Sequence, residues 1–366
     1  MKYSGIGGQA VIEGIMMKNK NKYAIAVRKP DKTIDVKVES CKAFSDDHKW
    51  AKLPIIRGAV NFVDSMIVGM QTLSYSASFF EDDPDTKPSK FEIWLQKMFG
   101  DKLDKIIMTA SIVFALVLSV VLFMWLPLFI VGLFSEFIPN HFWQALLEGV
   151  LRVAIFIAYI KIVSGTEDIK RTFMYHGAEH KCINCVEHGL DLTKENVMKS
   201  SKEHKRCGTS FIFIVMIISI LFFVVIRVDN VALKFLLRLF LIPVIAGISY
   251  EALKFMGTHD SKLVDFFAKP GLLMQGLTTL EPDEDMAEVA IAATEAVFDW
   301  RAYLTENFGR VFEEEPAVET EAAAGSEGEC DKAESAQESA EAADTEHEAD
   351  AEHKKKDEHD NSCCGF

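Results

Sequence analysis

The hydrophobic pattern changes period along the chain, and each change predicts a different element. From Gly5 to Ser40 short apolar runs alternate with polar turns, as strands do. Gln9 to Met17 is mostly apolar and is interrupted by Glu13 and Gly14. Tyr23-Ala24-Ile25-Ala26-Val27 and Ile34-Asp35-Val36-Lys37-Val38 flank a Lys29-Pro30-Asp31-Lys32 turn. Residues 53–80 switch to helical spacing, with Phe62, Met66, Ile67, Met70 and Leu73 on one face. Arg57, Asn61 and Asp64 argue against a full span there, so an interfacial or re-entrant helix is expected, a soluble core helix being the alternative. Glu81 to Lys90 reads as a loop.

Four long apolar runs follow. Ile106 to Phe134 exceeds the ~20 residues a membrane span needs, and Pro127 should kink or end it. Phe142 to Val163 carries Glu148 and Arg152, one helical turn apart and able to pair inside a bilayer. Phe211 to Ile226 and Phe235 to Met256 complete the set, the last with Arg238 near one end and Glu251 near the other. The expected fold is therefore mainly α and integral to a membrane, with about four transmembrane helices. A small N-terminal cytoplasmic β element (1–50) and an interfacial helix and loop (51–100) precede the membrane domain (101–282). Pro270-Gly271 and Glu281-Pro282 mark turns around a short apolar stretch. An amphipathic helix is expected over Asp283 to Asn307, within 283–310, from Met286, Val289, Ala293, Val297 and Trp300.

Charge refines this picture. The loop 164–210 holds Lys170, Arg171, Lys181, Lys194, Lys199, Lys202, Lys205 and Arg206, whereas Ser135 to His141 has no Lys or Arg. The positive-inside rule then puts both termini and the 164–210 loop in the cytoplasm. Arg227, Lys234 and Arg238, around the other short loop, run against that rule. The net charge of −15 is a local property. Residues 311–366 hold 19 acids against 4 lysines, and the other 310 residues balance at 35 to 35. That acidic tail is expected to be disordered, and the balanced remainder offers no basic field for nucleic acid. The expected partners are the lipid bilayer and a protein docked at the cytoplasmic face. Seven unevenly spread cysteines do not read as a secreted disulfide framework, and the polar first 38 residues predict no signal peptide.

The candidate chemistry sits in the polar stretch between the second and third runs. His176 and His180 are four apart and share a helix face, with Glu179 between them. This H-x-x-E-H order places two imidazoles for one metal and a carboxylate to take a proton from water. Its competitor is a polar helix on a membrane surface that happens to carry two histidines. Ser164-Gly165-Thr166-Glu167 has the form of a capping box opening a helix that carries the motif and stops near Gly189. Gly177 inside it weakens the helix, which makes sense if something packs against its backbone. Thr193 should cap a second helix through Arg206, ending at Gly208. Three ligand sets are open: the histidines with Glu251; the histidines with His204 or Cys207; or Cys182-x-x-Cys185 with His204-x-x-Cys207 as a zinc knuckle. Gly5, Gly7 and Gly8 are not read as a phosphate loop, because strand rather than helix follows them.

Gly7-Gly8-Gln9-Ala10-Val11-Ile12-Glu13-Gly14-Ile15-Met16-Met17, the Tyr175 to Lys181 block and His204-Lys205-Arg206-Cys207-Gly208-Thr209-Ser210-Phe211 together resemble the YqhQ-like bacterial family. The resemblance runs from about Gly7 to Pro282. It implies a bacterial cytoplasmic-membrane protein of a family of unknown function that is labelled a predicted metal-dependent enzyme. The family pattern carries over to His176, Glu179, His180, His204 and Cys207, but not to Cys182 or the acidic tail. Two functions are expected. One is a membrane-embedded, metal-dependent hydrolase, a peptidase being one form of it, with a divalent metal such as zinc on His176 and His180 and Glu179 as base. His204, Cys207 or Glu251 would complete its metal sphere. The other is a membrane scaffold or biogenesis factor whose metal is structural.

Overall fold

A computed structural model of the chain describes residues 2–42, 44, 48–80, 103–226, 228, 230–259 and 261–312. The expected loop at Glu81 to Lys90 lies outside these residues, as does the acidic tail from residue 313 on. The chain divides into two units, Met1–Arg310 with Cys363–Phe366, and Val311–Ser362. The strands and helices between Ile6 and Phe308 all lie in the first unit.

Four antiparallel strands form one sheet in chain order: β1 (Ile6–Val11), β2 (Gly14–Asn19), β3 (Lys22–Arg28) and β4 (Ile34–Ser40). Val11, Met16, Tyr23, Ile25 and Val27 fill one face, and Val68, Tyr75 and Phe79 of the following helical segment cover it. β4 pairs with β3 as a strand, but its burial does not follow its apolar/polar alternation: Val36 and Val38 are exposed, while Asp35 and Glu39 are half-buried. The break at Glu13-Gly14 is a tight turn in which Glu13 takes a left-handed φ of 48°.

The helix α1 (Ile56–Ala77) has two unlike faces. Gly58, Gly69, Thr72 and Ser76 are buried, and Val63, Met66, Ile67, Met70 and Leu73 are exposed. α2 (Leu103–Val120) passes through a π-helical turn, Val121–Trp125, into α3 (Leu126–Leu133). Pro127 does not end this element. It follows directly on the widened turn, at the start of α3, where its missing N–H breaks no α-helical bond. The remaining helices are α4 (His141–Val163), α5 (Glu167–Glu187), α6 (Lys194–Lys199), α7 (Gly208–Val225), α8 (Val231–Thr258), α9 (Lys262–Thr278), α10 (Glu284–Glu295) and α11 (Trp300–Phe308).

Among the described residues, three helical stretches are long and apolar enough to cross a membrane: Ile106–Leu133, Gly208–Val225 and Ala232–Thr258. α4, the other expected span, is long but carries a buried ionic centre. Glu148 accepts from Arg152 at 3.0 Å and takes both terminal nitrogens of Arg238, Nη2 at 3.0 Å. Arg152 also donates to the Phe123 carbonyl and to Ser219 Oγ. The two guanidinium groups lie over the Phe223 ring, 5.0 and 4.3 Å from its centroid. Arg238 thus joins the pair that the one-turn spacing of Glu148 and Arg152 suggested, and the cluster ties α4, α7 and α8 together.

Four boundaries differ from expectation for identifiable reasons. Ser164 closes α4 instead of opening α5, whose N-cap is Thr166. Thr193 does cap α6, but that helix stops at Lys199. Side chains from α5 capture the backbone beyond it: Lys181 Nζ donates to the Met198 and Ser200 carbonyls, and Asn184 Nδ2 to those of Ser201 and Glu203. Pro270-Gly271, expected as a turn, lies inside α9, where Gly271 lets that helix press against Ser210 of α7. The expected helix over 283–307 breaks in two because Asp299 caps a new start, accepting from the Ala302 amide.

Candidate functional site

Among the described helices, α5 combines low apolar content with a buried second half, from Tyr175 through Glu187 apart from the half-buried His176. It packs against β1, β2 and α6 and against α10, which itself packs on the sheet, and its side chains bond the 200–203 segment. Gly177 explains how that density is reached. A Cβ there would sit 2.0 Å from the Leu280 carbonyl oxygen, so the chain leaving α9 crosses α5 at its bare backbone.

That crossing sets the first imidazole. The end of α9 leaves carbonyls without intrahelical partners, and the Thr278 carbonyl lies 2.9 Å from His176 Nδ1. A carbonyl only accepts, so Nδ1 carries the proton and Nε2 keeps its lone pair. His180 is set in the same way by the extended segment after α6: its Nδ1 lies 2.7 Å from the Lys202 carbonyl. The two rings are 4.4 Å apart, centroid to centroid, and inclined at 65°. His176 Nε2 is 3.2 Å from Cys207 Sγ. Cys207 is the N-cap of α7, its sulfur accepting from the Thr209 amide at 3.4 Å. One ligand atom each from His176, His180 and Cys207 lies within 4.8 Å of the other two, so the three could hold one metal ion.

The electrostatics follow from this packing. Burial would raise the Cys207 thiol, but the two imidazoles beside it hold it well below the usual thiol range. Burial pulls His176 down, and Cys207 more than offsets that, leaving it at about 9. Glu179 is 5% exposed. Burial pushes its carboxyl above the usual range, against the pull of both histidines. It bonds the Gly8 backbone amide, while its Oε2 has no hydrogen-bond partner. A cavity of about 370 Å³ opens beside it, lined by His176, Glu179 and Cys207 together with Gly8, Gln9, Ala10, Thr209 and apolar groups from α1, α5 and α7.

Of the five metal candidates named from sequence, the fold brings His176, His180 and Cys207 together, and Glu179 stands beside them. His204 and Glu251 do not join. The His204 ring is 5.7 Å from that of His180, but its Nε2 turns to Glu187 Oε2 at 3.4 Å, in a group that Arg206 completes. Glu251 is held by Arg57, whose Nε and Nη2 each reach it at 2.6 Å. The zinc knuckle does not form either: Cys182 Sγ meets Thr294 Oγ1, and Cys185 Sγ faces the Leu190 and Asp191 carbonyls. Burial pushes these two thiols up, to about 12 and about 11. The four described cysteines, Cys41 included, are free.

Sequence reasoning missed the Thr278 and Lys202 carbonyls, which carry no side-chain signal, and Gly8. A Cβ on Gly8 would come within 2.9 Å of the Glu179 carboxyl carbon. The paired glycines at 7 and 8 were the available clue.

Comparison with known proteins places the chain in a family. The model of "Protein of unknown function (DUF1385)" matches residues 53–300. The "Uncharacterized protein YqhQ" of Bacillus subtilis (strain 168) is 34% identical over 287 residues, covering 78% of this chain and 89% of that one. No solved structure matches. The chain belongs to the DUF1385 family.

Proposed function

We propose that this DUF1385 chain is a zinc-dependent hydrolase of the bacterial cytoplasmic membrane. His176, His180 and Cys207 would hold the metal, and Glu179 would act as the general base. The observation that carries the reading is the pairing of a three-donor set with a buried carboxylate whose Oε2 lacks a partner. Two imidazole nitrogens and a thiolate suit zinc, and three protein donors leave a fourth position for water or substrate. Both Nδ1 atoms are tied to carbonyls, which is the outer arrangement that orients histidine ligands. When bound, the metal would supply Lewis-acid polarisation of a carbonyl or water. Glu179 takes the proton from water and returns it to the leaving group. The Cys207 thiolate balances part of the metal's charge, and the apolar cavity wall keeps bulk water from the reacting atoms.

The membrane arrangement belongs to the same reading. α4 is a fourth span, tolerated because its Glu148 and Arg152 are paired inside the bundle. α1 lies in the inner interface with Val63, Met66, Ile67, Met70 and Leu73 toward lipid. The termini and the 164–210 loop are cytoplasmic. The alternative, a scaffold with a structural metal, calls for a closed sphere of four protein ligands. The cavity reaching His176, Glu179 and Cys207 favours the hydrolase.

Metal analysis of the protein purified in detergent tests this. One zinc per chain is expected, lost in Cys207→Ala and in a His176→Ala, His180→Ala double variant, and retained in Glu179→Gln. Purified wild type with no transition metal, and unable to take up zinc, would end the proposal.

A further inference from the structure

The cavity beside Glu179 is floored by the open edge of a β-sheet. The Ile6, Gly8 and Ile12 amides bond Ser4 Oγ, Glu179 and Ser76 Oγ, none of them on β2. Even positions of β1 therefore point their backbone groups away from the sheet, as alternation in an antiparallel pair requires. Ala10 is the even position between them. Its N–H and C=O have no hydrogen-bond partner among the described residues, and it lines the cavity with Gly8 and Gln9. α1 stands along one side of this edge through Ser65 and Val68, α5 along the other through Thr172, Phe173, His176 and Glu179.

We propose that this groove takes an extended stretch of polypeptide, which adds to the outward edge of β1 at Ala10 and presents a peptide bond to Glu179. The proposal rests on the hydrolase reading above and names its substrate class. An unpaired N–H and C=O at a sheet edge are matched by another chain's backbone. Gly8 and Ala10 are two residues apart, ~7 Å along a strand. A chain bonded at Ala10 therefore passes Glu179, His176 and Cys207 about two of its own residues further on. The walls that would receive its side chains, Phe173, Val68, Met16 and Ile212, are apolar. An acyl lipid would fill the same walls but leave the Ala10 amide unpaired. In the reaction the oxygen of water bonds to the peptide carbonyl carbon and its proton passes to Glu179. The C–N bond then breaks, and Glu179 returns the proton to the departing amine. The products are a carboxylate and an amine, and nothing is oxidised or reduced.

The test uses the full-length, zinc-loaded protein in detergent, a pool of internally quenched random decapeptides and, separately, p-nitrophenyl acetate. Cleavage of the pool is expected, and Glu179→Gln should abolish it. Ala10→Pro removes only the outward N–H, at the one kind of strand position where proline is tolerated. It should keep bound zinc and lower cleavage by about tenfold or more. If Ala10→Pro does not fold, hydrogen exchange in zinc-loaded Glu179→Gln decides, slower exchange over residues 6–12 with the peptide pool being the expected result. An uncleaved pool overturns the peptide assignment, and Glu179-dependent turnover of the ester alongside it leaves the hydrolase reading standing. Cleavage unaffected by Ala10→Pro, or exchange unaffected by the pool, overturns the strand-addition geometry. Protein that cannot hold zinc fails the underlying reading instead.

Discussion

Glu148, Arg152 and Arg238 meet among α4, α7 and α8, while His176, His180, Cys207 and Glu179 meet where α5 is crossed by the chain leaving α9. Both groups are buried, and both gather charge-bearing side chains from distant parts of the sequence. In the first, the bonds close on one another. Both oxygens of Glu148 accept, and each donor nitrogen of Arg152 has a named partner. In the second, the outward nitrogens of the imidazoles are fixed by carbonyls, one ligand atom each from His176, His180 and Cys207 converges, and Glu179 Oε2 beside them has no partner. A buried polar group without a partner costs about 1–3 kcal/mol. A structural cluster avoids that cost, and a site built for a ligand carries it until the ligand arrives.

The largest expected effect lies in the closed cluster. Glu148→Ala leaves two guanidinium groups buried without their anion and should cost about 3–5 kcal/mol, read as a large fall in thermal midpoint in detergent. Unchanged stability would show that the cluster is solvated. Next is Glu187, a buried neighbour of the site. Burial would raise its carboxyl, but His204 and Arg206 hold it at about 2. Its folded value lies below its unfolded one of about 4.5, so its contribution, about 3 kcal/mol, is present above pH ~4.5 and lost as pH falls toward 2. The stability gap between wild type and Glu187→Gln should close across that window. A gap independent of pH would contradict the pairing.

Gly177→Ala forces a Cβ against the Leu280 carbonyl. It should cost about 1–3 kcal/mol and, by displacing the Thr278 carbonyl, weaken zinc binding about 10–100-fold. A stability loss with zinc affinity unchanged would separate the crossing from the site. The smallest effect separates ligands from neighbours. His204→Ala and Glu251→Ala should each retain one zinc per chain, and loss of zinc in either would reinstate that residue as a ligand.

Apolar length made the long apolar helices legible, and two strand-like runs flanking the Pro30-Asp31 turn made β3 and β4 legible. The H-x-x-E-H spacing identified the face of α5, because two residues four apart on a helix meet whatever surrounds them. The third member of the His/Cys cluster was not decidable from sequence. His204, Cys207 and Glu251 all stood at plausible distances along the chain, and the choice depended on where backbone runs. Lys181 and Asn184 unravel the end of the helix expected after Thr193, and that turns His204 toward Glu187 and Cys207 toward His176. The orphaned Glu179 oxygen and the open edge at Ala10 depend on strand parity and on Gly8 fitting under a carboxylate, and neither is a property of a motif.

The central claim is that two imidazoles and one thiolate hold a zinc ion with a place left for water. X-ray absorption at the zinc edge of the purified protein reads this directly. The expected shell is one sulfur at ~2.3 Å, two nitrogens at ~2.0–2.1 Å and one further light atom, with the sulfur lost in Cys207→Ala. A shell with two or more sulfurs, or one that keeps its sulfur in that variant, would contradict it.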